Sequence, residues 1–101
     1  MTLGRVVGTV VSTQKEDRLS GFKLMVVEAV TLDLEATGSF VVAVDAVGAG
    51  VGEIVITSAG SSARLTQVTL DKPVDAVIVG IVDTVETGGA VRYDKAAPAG
   101  A

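Results

Sequence analysis

From Asp45 to Glu53 the chain reads "DAVGAGVGE", three glycines at alternate positions with a carboxylate at either end. Glycine-rich loops cradle phosphates when the backbone can approach a pyrophosphate and a helix N-terminus follows. Neither condition is met here. The spacing is G-x-G-x-G rather than G-x-G-x-x-G, and Glu53 leads into "IVITS", a β-branched run without a helical face. The segment therefore reads as a tight connection between two strands, whose glycines supply positive φ or close backbone approach. The rest of the catalytic inventory is equally sparse. The chain has no His and no Cys, so imidazole bases, imidazole or thiolate metal sites and disulfides are all excluded. Ser61 and Ser62 stand beside Arg64 with no base to activate them, and they suit the cap of a helical turn better. Asp45, Glu53, Asp75 and Asp83 fall singly at strand ends. No catalytic, cofactor-binding or metal-ligating residue is assigned.

The elements that must position these groups are strands. The chain is 101 residues long, enough for one domain. Of these residues 49% are hydrophobic, and the only aromatics are Phe22, Phe40 and Tyr93, so the apolar mass is mainly Val, Ala, Ile and Leu. Branched residues favour pleated sheet. In the first run Gly4, Val6, Gly8 and Val10 share one face, and Leu3, Arg5, Val7, Thr9 and Val11 share the other. A charged loop, Thr13 to Gly21, separates it from a second strand, Phe22 to Val30. Between Thr31 and Ser39 the pair Thr37-Gly38 looks like a hairpin turn. "FVVAVDAV" is the third strand and "EIVITSA" the fourth, with the glycine segment between them. Gly60 to Val68 is the one stretch fit for a short helical turn, a further turn lies at Pro73, and Ala76 to Val85 is the last strong strand. Residues 1–93 read as the domain and 94–101, rich in Ala, Gly and Pro, as a flexible tail.

Five short strands with one helical turn imply an all-β fold closed into a small barrel. Gly4, Gly8 and Gly80 inside strands would let neighbouring strands come close. In the last strand Val77, Val79 and Ile81 occupy one face, and Ile78 and Val82 the other. A barrel interior takes only one set. The other needs a cover, for which a second copy of the subunit is expected, a loop or tail of the same chain being the other candidate. The formal net charge of −4 argues against sequence-independent nucleic-acid binding, which needs a basic surface. No apolar run has the length of a bilayer span, and the N-terminal residues go directly into strand, so a soluble protein with no membrane partner and no secretion signal is expected.

The blocks "LGRVVGTVVSTQK", "GFKLMVV", "VAVDAVGAGVGEIVI", "GSSAR" and "PVDAVIVGIVD" together resemble the bacterial microcompartment vertex proteins, the family that includes EutN and CcmL. They follow the family's order, and A-V-D-x-V-G-A-G-x-G-E is the most specific of them. The resemblance implies an oligonucleotide-binding-like (OB-like) barrel assembled as a homopentamer, without enzymatic activity or cofactor. It also implies a structural role in the bacterial cytoplasm: a five-fold plug at the corners of a polyhedral shell whose facets are hexameric shell proteins. In that light Asp45, Gly48, Ala49, Gly50, Gly52, Glu53, Ser61, Ser62 and Arg64 are expected at the subunit interface or ring axis. Asp45 and Glu53 would hold the glycine segment by accepting hydrogen bonds, and Arg64 would be a cationic partner. A reading of another class is a small-molecule or nucleic-acid binding module using the barrel face. A third is an enzyme or hard-metal site built from carboxylates brought together across the fold.

Overall fold

The computed structural model describes residues 1–12, 21–60, 63 and 75–96. It contains β1 (Thr2–Val10), β2 (Leu24–Val30), β3 (Ala36–Asp45), β4 (Ile54–Ala59), β5 (Ala76–Ile81), β6 (Thr84–Thr87) and β7 (Ala90–Asp94). The first five close into a barrel in the order β1-β2-β3-β5-β4, as the strand count implies, and β6 and β7 form a separate two-stranded hairpin. Neighbouring barrel strands are antiparallel except at the β3–β5 seam. That seam is parallel and rests on two pairs, Val44 with Val77 and Asp45 with Ile78. The expected helical turn lies outside the described residues except at Gly60 and Ala63. The charged loop over residues 13–20 and the turn at Pro73 also lie outside them.

Alternation along the strands sorts the apolar residues into two clusters. Val6, Met25, Val27, Ala43, Val55 and Ile78 point inward and form the barrel core with Ala49 and Ala76. Outside the wall a second cluster gathers Val44 and Val77 under Ala63, with Phe22, Leu24, Ala46 and Val79 packed against it. The second face of β5 is thus covered by the chain itself. Val77 and Ile78, on opposite faces, are both fully buried within one subunit. The expectation that this strand needs a neighbouring copy is corrected, because the β4–β5 connection brings Ala63 over it. Gly60 N–H donates to the Asp75 carbonyl at 2.7 Å and draws the ends of that connection together.

Three local readings also change. The β2–β3 turn is at Thr31–Leu34 rather than Thr37-Gly38. Thr31 Oγ1 accepts the N–H groups of Asp33 and Glu35 at 3.2 Å each, the side-chain-to-backbone bonding by which Thr competes with sheet and nucleates turns. Thr37 and Gly38 instead form an irregularity inside β3, where Gly38 has φ 77°. There Thr37 Oγ1 donates to the Ala29 carbonyl at 2.7 Å and Gly38 N–H to Glu28 Oε2 at 3.0 Å. In β1 a bulge between Val6 and Gly8 shifts the register, so that Gly8 opposes Val26 and Val10 opposes Leu24. Residues directly opposite share a face, and Val10 therefore leaves the face of Val6 for the outer one. The expected strand Ala76 to Val85 breaks at Val82–Asp83, beyond which "TVETGGAVRYD" forms the hairpin.

Of the three strand glycines only Gly4 marks a close approach. A Cβ there would collide with Val27 Cγ1 and lie 3.1 Å from the Glu28 carbonyl oxygen, whereas Gly8 has open space around it and Gly80 meets Ile56 at ordinary contact distance. Substituting Gly4→Val should cost about 1–3 kcal/mol through overpacking. Gly8→Ala should be neutral or stabilising by up to about 1 kcal/mol. Urea denaturation of the two variants checks the contrast, and equal midpoints would contradict it.

Candidate functional site

The glycine segment links the end of β3 to the start of β4 and lies over that end of the barrel. Two carboxylates shape it. Asp45 sits on the β3–β5 seam, its N–H donating to the Lys23 carbonyl at 2.9 Å. Its Oδ1 accepts the N–H groups of Val47 and Gly48, each at 3.0 Å. At the far end Glu53 Oε1 accepts the Gly50 N–H at 2.5 Å, and the Glu53 N–H returns a bond to the Gly50 carbonyl at 3.2 Å. The segment is then stitched to β1 at its bulge, Val6 N–H donating to the Glu53 carbonyl at 3.0 Å and Gly52 N–H to the Val6 carbonyl at 2.7 Å.

The glycines serve this path in two ways. Gly48 and Gly52 have φ of 79° and 93°, a region that costs a side-chain-bearing residue about 1–3 kcal/mol. Gly50 has ordinary φ, but a Cβ on it would stand 3.3 Å from Glu53 Oε1 and crowd the bond that closes the turn. Ala49 turns inward. Its methyl is 1% exposed and belongs to the barrel core, so of the residues expected at a subunit interface this one is a core residue of its own subunit. Val47 and Val51, by contrast, are 41% and 63% exposed. Ser61, Ser62 and Arg64 lie outside the described residues.

The geometry answers the chemical question the segment poses. Three amides that could greet a phosphate in a nest, those of Val47, Gly48 and Gly50, are here engaged by the chain's own carboxylates, and two negative charges flank the segment. An incoming anion would have to displace Asp45 or Glu53.

Glu53 has a cationic partner that sequence reasoning missed. Lys95 Nζ donates to Glu53 Oε2 at 2.5 Å, while the Lys95 N–H donates to the Asp83 carbonyl at 2.8 Å. Lys95 belongs to the segment read as tail. Asp94 to Ala96 are nonetheless held, with Ala96 N–H donating to Asp94 Oδ1 at 3.0 Å. The signal was the period-2 run "TVET" and "AVRYD" around Gly88-Gly89, a hairpin pattern that returns the chain to the root of β6. Arg92 of the hairpin also pairs with Asp33 of the β2–β3 turn at 3.1 Å.

The Lys95 ammonium, and after it the Gly50 N–H, hold the Glu53 carboxyl below its usual 4.5. The same bond holds Lys95 above its usual 10.5. A carboxylate whose native value is depressed contributes stability that is present above its unfolded value and is lost as pH falls through the native one. The Lys95 contribution is present below its unfolded value and is lost as pH rises through its raised native one. The clamp thus contributes between these limits and weakens below about pH 4.5. Glu53→Gln keeps an acceptor for Gly50 but removes the ion pair. Its urea midpoint should fall below wild type at pH 7 and approach it at acid pH, and parallel profiles would contradict the assignment. Gly52→Val, at φ 93°, should lower stability by about 1–3 kcal/mol, read by the same titration.

Comparison with known proteins places this arrangement. A family model described as ethanolamine utilisation protein EutN/carboxysome matches residues 1–83. The chain is 59% identical over 87 residues to the microcompartment shell vertex protein GrpN of Rhodospirillum rubrum, covering 86% of this chain and 98% of that protein. It is 46% identical over 95 residues to the carboxysome shell vertex protein CcmL of Thermosynechococcus vestitus, covering 94% and 96%. Among solved structures it superposes on Gloeobacter violaceus CcmL with a TM-score of 0.90 at 42% identity, covering 94% of this chain and 98% of that one. The pentameric microcompartment shell protein GrpN superposes with a TM-score of 0.80 at 60% identity, covering 86% and 99%. With the barrel, the carboxylate-bracketed glycine segment and these matches together, the chain belongs to the EutN/CcmL family of microcompartment vertex proteins.

Proposed function

We propose that the protein is a structural, non-enzymatic shell component. It assembles as a homopentamer and caps the vertices of a polyhedral microcompartment in the bacterial cytoplasm, whose facets are hexameric shell proteins. The observation that carries this reading is the likeness to the pentameric GrpN structure, at 60% identity over 99% of that chain. The geometric logic is independent of sequence. A sheet tiled by hexagons is flat, and closing it requires pentagonal units at which curvature concentrates. A head-to-tail contact that closes after five copies supplies such a unit.

The segment from Asp45 to Glu53 suits a place at the subunit interface or ring axis. Its backbone is braced from both ends by carboxylates, it is anchored inward by Ala49, and it presents Val47 and Val51 outward. Such a loop can meet a neighbour with little loss of backbone entropy, because its conformation is already set. A chemical role for the same segment is disfavoured by the engagement of its amides.

The deciding experiment is co-expression with a cognate facet protein, with and without this chain, followed by electron microscopy. Closed, capped particles are expected only when the chain is present. Particles that close equally well without it, or that exclude it, would overturn the reading.

A further inference from the structure

The β6–β7 hairpin is tied to the barrel by charge rather than by a shared core. Val82 N–H bonds back to the wall, at the Ile54 carbonyl, and Lys95 N–H then closes the hairpin on itself at the Asp83 carbonyl, each at 2.8 Å. One side-chain tie is Lys95 to Glu53, at the end of the glycine segment that follows β3. The other is Arg92 to Asp33, in the turn that precedes β3. Thr87 Oγ1 accepts the Arg92 Nε–H at 2.7 Å and holds the guanidinium in place for that pair. Among the described residues, none of β6 or β7 belongs to either buried cluster. Val85 and Tyr93 are only half-buried, and Val91 is 62% exposed. Ion pairs as open to solvent as these add little stability each and are screened by salt. A hairpin without packing is marginal. The family model also stops at residue 83, immediately before β6.

We propose that the hairpin is a salt-sensitive strap, which lifts from the folded barrel as a unit about Val82–Asp83 and whose docking sets the order of the glycine segment. The link is Glu53. Its Oε1 accepts the Gly50 N–H while its Oε2 accepts from Lys95, so the strap and the segment share one carboxylate. Docked, the strap fixes that carboxylate at both oxygens and keeps the Gly50 bond closed. Lifted, it leaves the carboxylate one anchor, and the Gly50 bond opens more often. The coupling runs both ways, so whatever steadies the glycine segment also favours the docked strap. Arg92 gives the idea its sharpest consequence. Its ion pair is with Asp33, on the other side of β3 in the chain, so it can influence Gly50 only by holding the strap down. The inference concerns the fold of one subunit and does not depend on the number of copies in a ring.

The test is native-state hydrogen exchange of the full chain in its assembled form, read amide by amide by NMR. Hydrogen-bonded amides of β6 and β7 should exchange about a hundredfold or more faster than those of β1, β2 and β4. Raising sodium chloride from about 0.05 M to about 0.5 M should speed the hairpin amides about threefold or more and leave the barrel amides unchanged. Arg92→Gln and Lys95→Gln should each speed both the hairpin amides and the Gly50 amide about threefold or more relative to the barrel. Taking the barrel amides as the reference separates lifting of the strap from any general loss of stability. Hairpin amides that exchange at the barrel rate would overturn the proposal, because strap and barrel would then open together. Hairpin rates indifferent to salt would overturn it as well. So would an R92Q chain whose hairpin opens faster while Gly50 stays unchanged, since docking would then not govern the glycine segment.

Discussion

A barrel wall has two sides and its lumen takes the side chains of only one. In this chain the constraint bites because the strands are apolar on both. Val6, Met25, Val27, Val55 and Ile78 fill the interior, and the residues that alternate with them must be sheltered elsewhere. The chain solves half of the problem itself, folding Ala63 over Val44 and Val77. The other half, Phe40 and Val42 with Val7 beside them, stays exposed. At about 25 cal/mol per Å² of apolar surface, covering such a face is a substantial driving force for self-association.

Rigidity at the barrel end follows from a different economy. Asp45 and Glu53 spend their lone pairs on the backbone of the segment between them, and Glu53 uses its second oxygen on Lys95. One carboxylate thereby joins the glycine segment to the C-terminal hairpin, so that loop and hairpin share a post. A two-stranded hairpin is marginal alone, and the bonds at its root together with the Arg92–Asp33 pair fix where it stands. For a shell component the value of this arrangement is mechanical. Subunits that must close a ring at a fixed angle need contact surfaces whose geometry does not drift, and loops pinned by charge-assisted bonds provide it.

Much of this was legible in the residues. Alternation in β1, β2 and β5 gave the strands, and the glycine spacing before a β-branched run excluded a phosphate loop. The carboxylates at its ends pointed to hydrogen bonding from within. What sequence reasoning misread was non-local. The cover over Val77 comes from Ala63, 14 residues earlier in the chain, and no periodicity reports which loop crosses which face. Parity in β1 flips at a bulge, which leaves no mark in a pattern of Val and Gly. Thr37-Gly38 carries turn chemistry but is consumed by a bulge, because Thr31 offers its hydroxyl to two amides first. Lys95 was hidden by the Ala- and Gly-rich residues around it, although the strand pattern flanking Gly88-Gly89 was there to be read.

The central claim is that this chain is a subunit of a closed five-fold ring, as its likeness to the pentameric GrpN structure supports. Native mass spectrometry across a dilution series tests it most directly. The account predicts one dominant species of five 10.1 kDa chains, giving way to folded or unfolding single chains only on strong dilution, without populated dimers or hexamers. A well-folded monomer at every concentration, or a stable assembly of any other number, would contradict it.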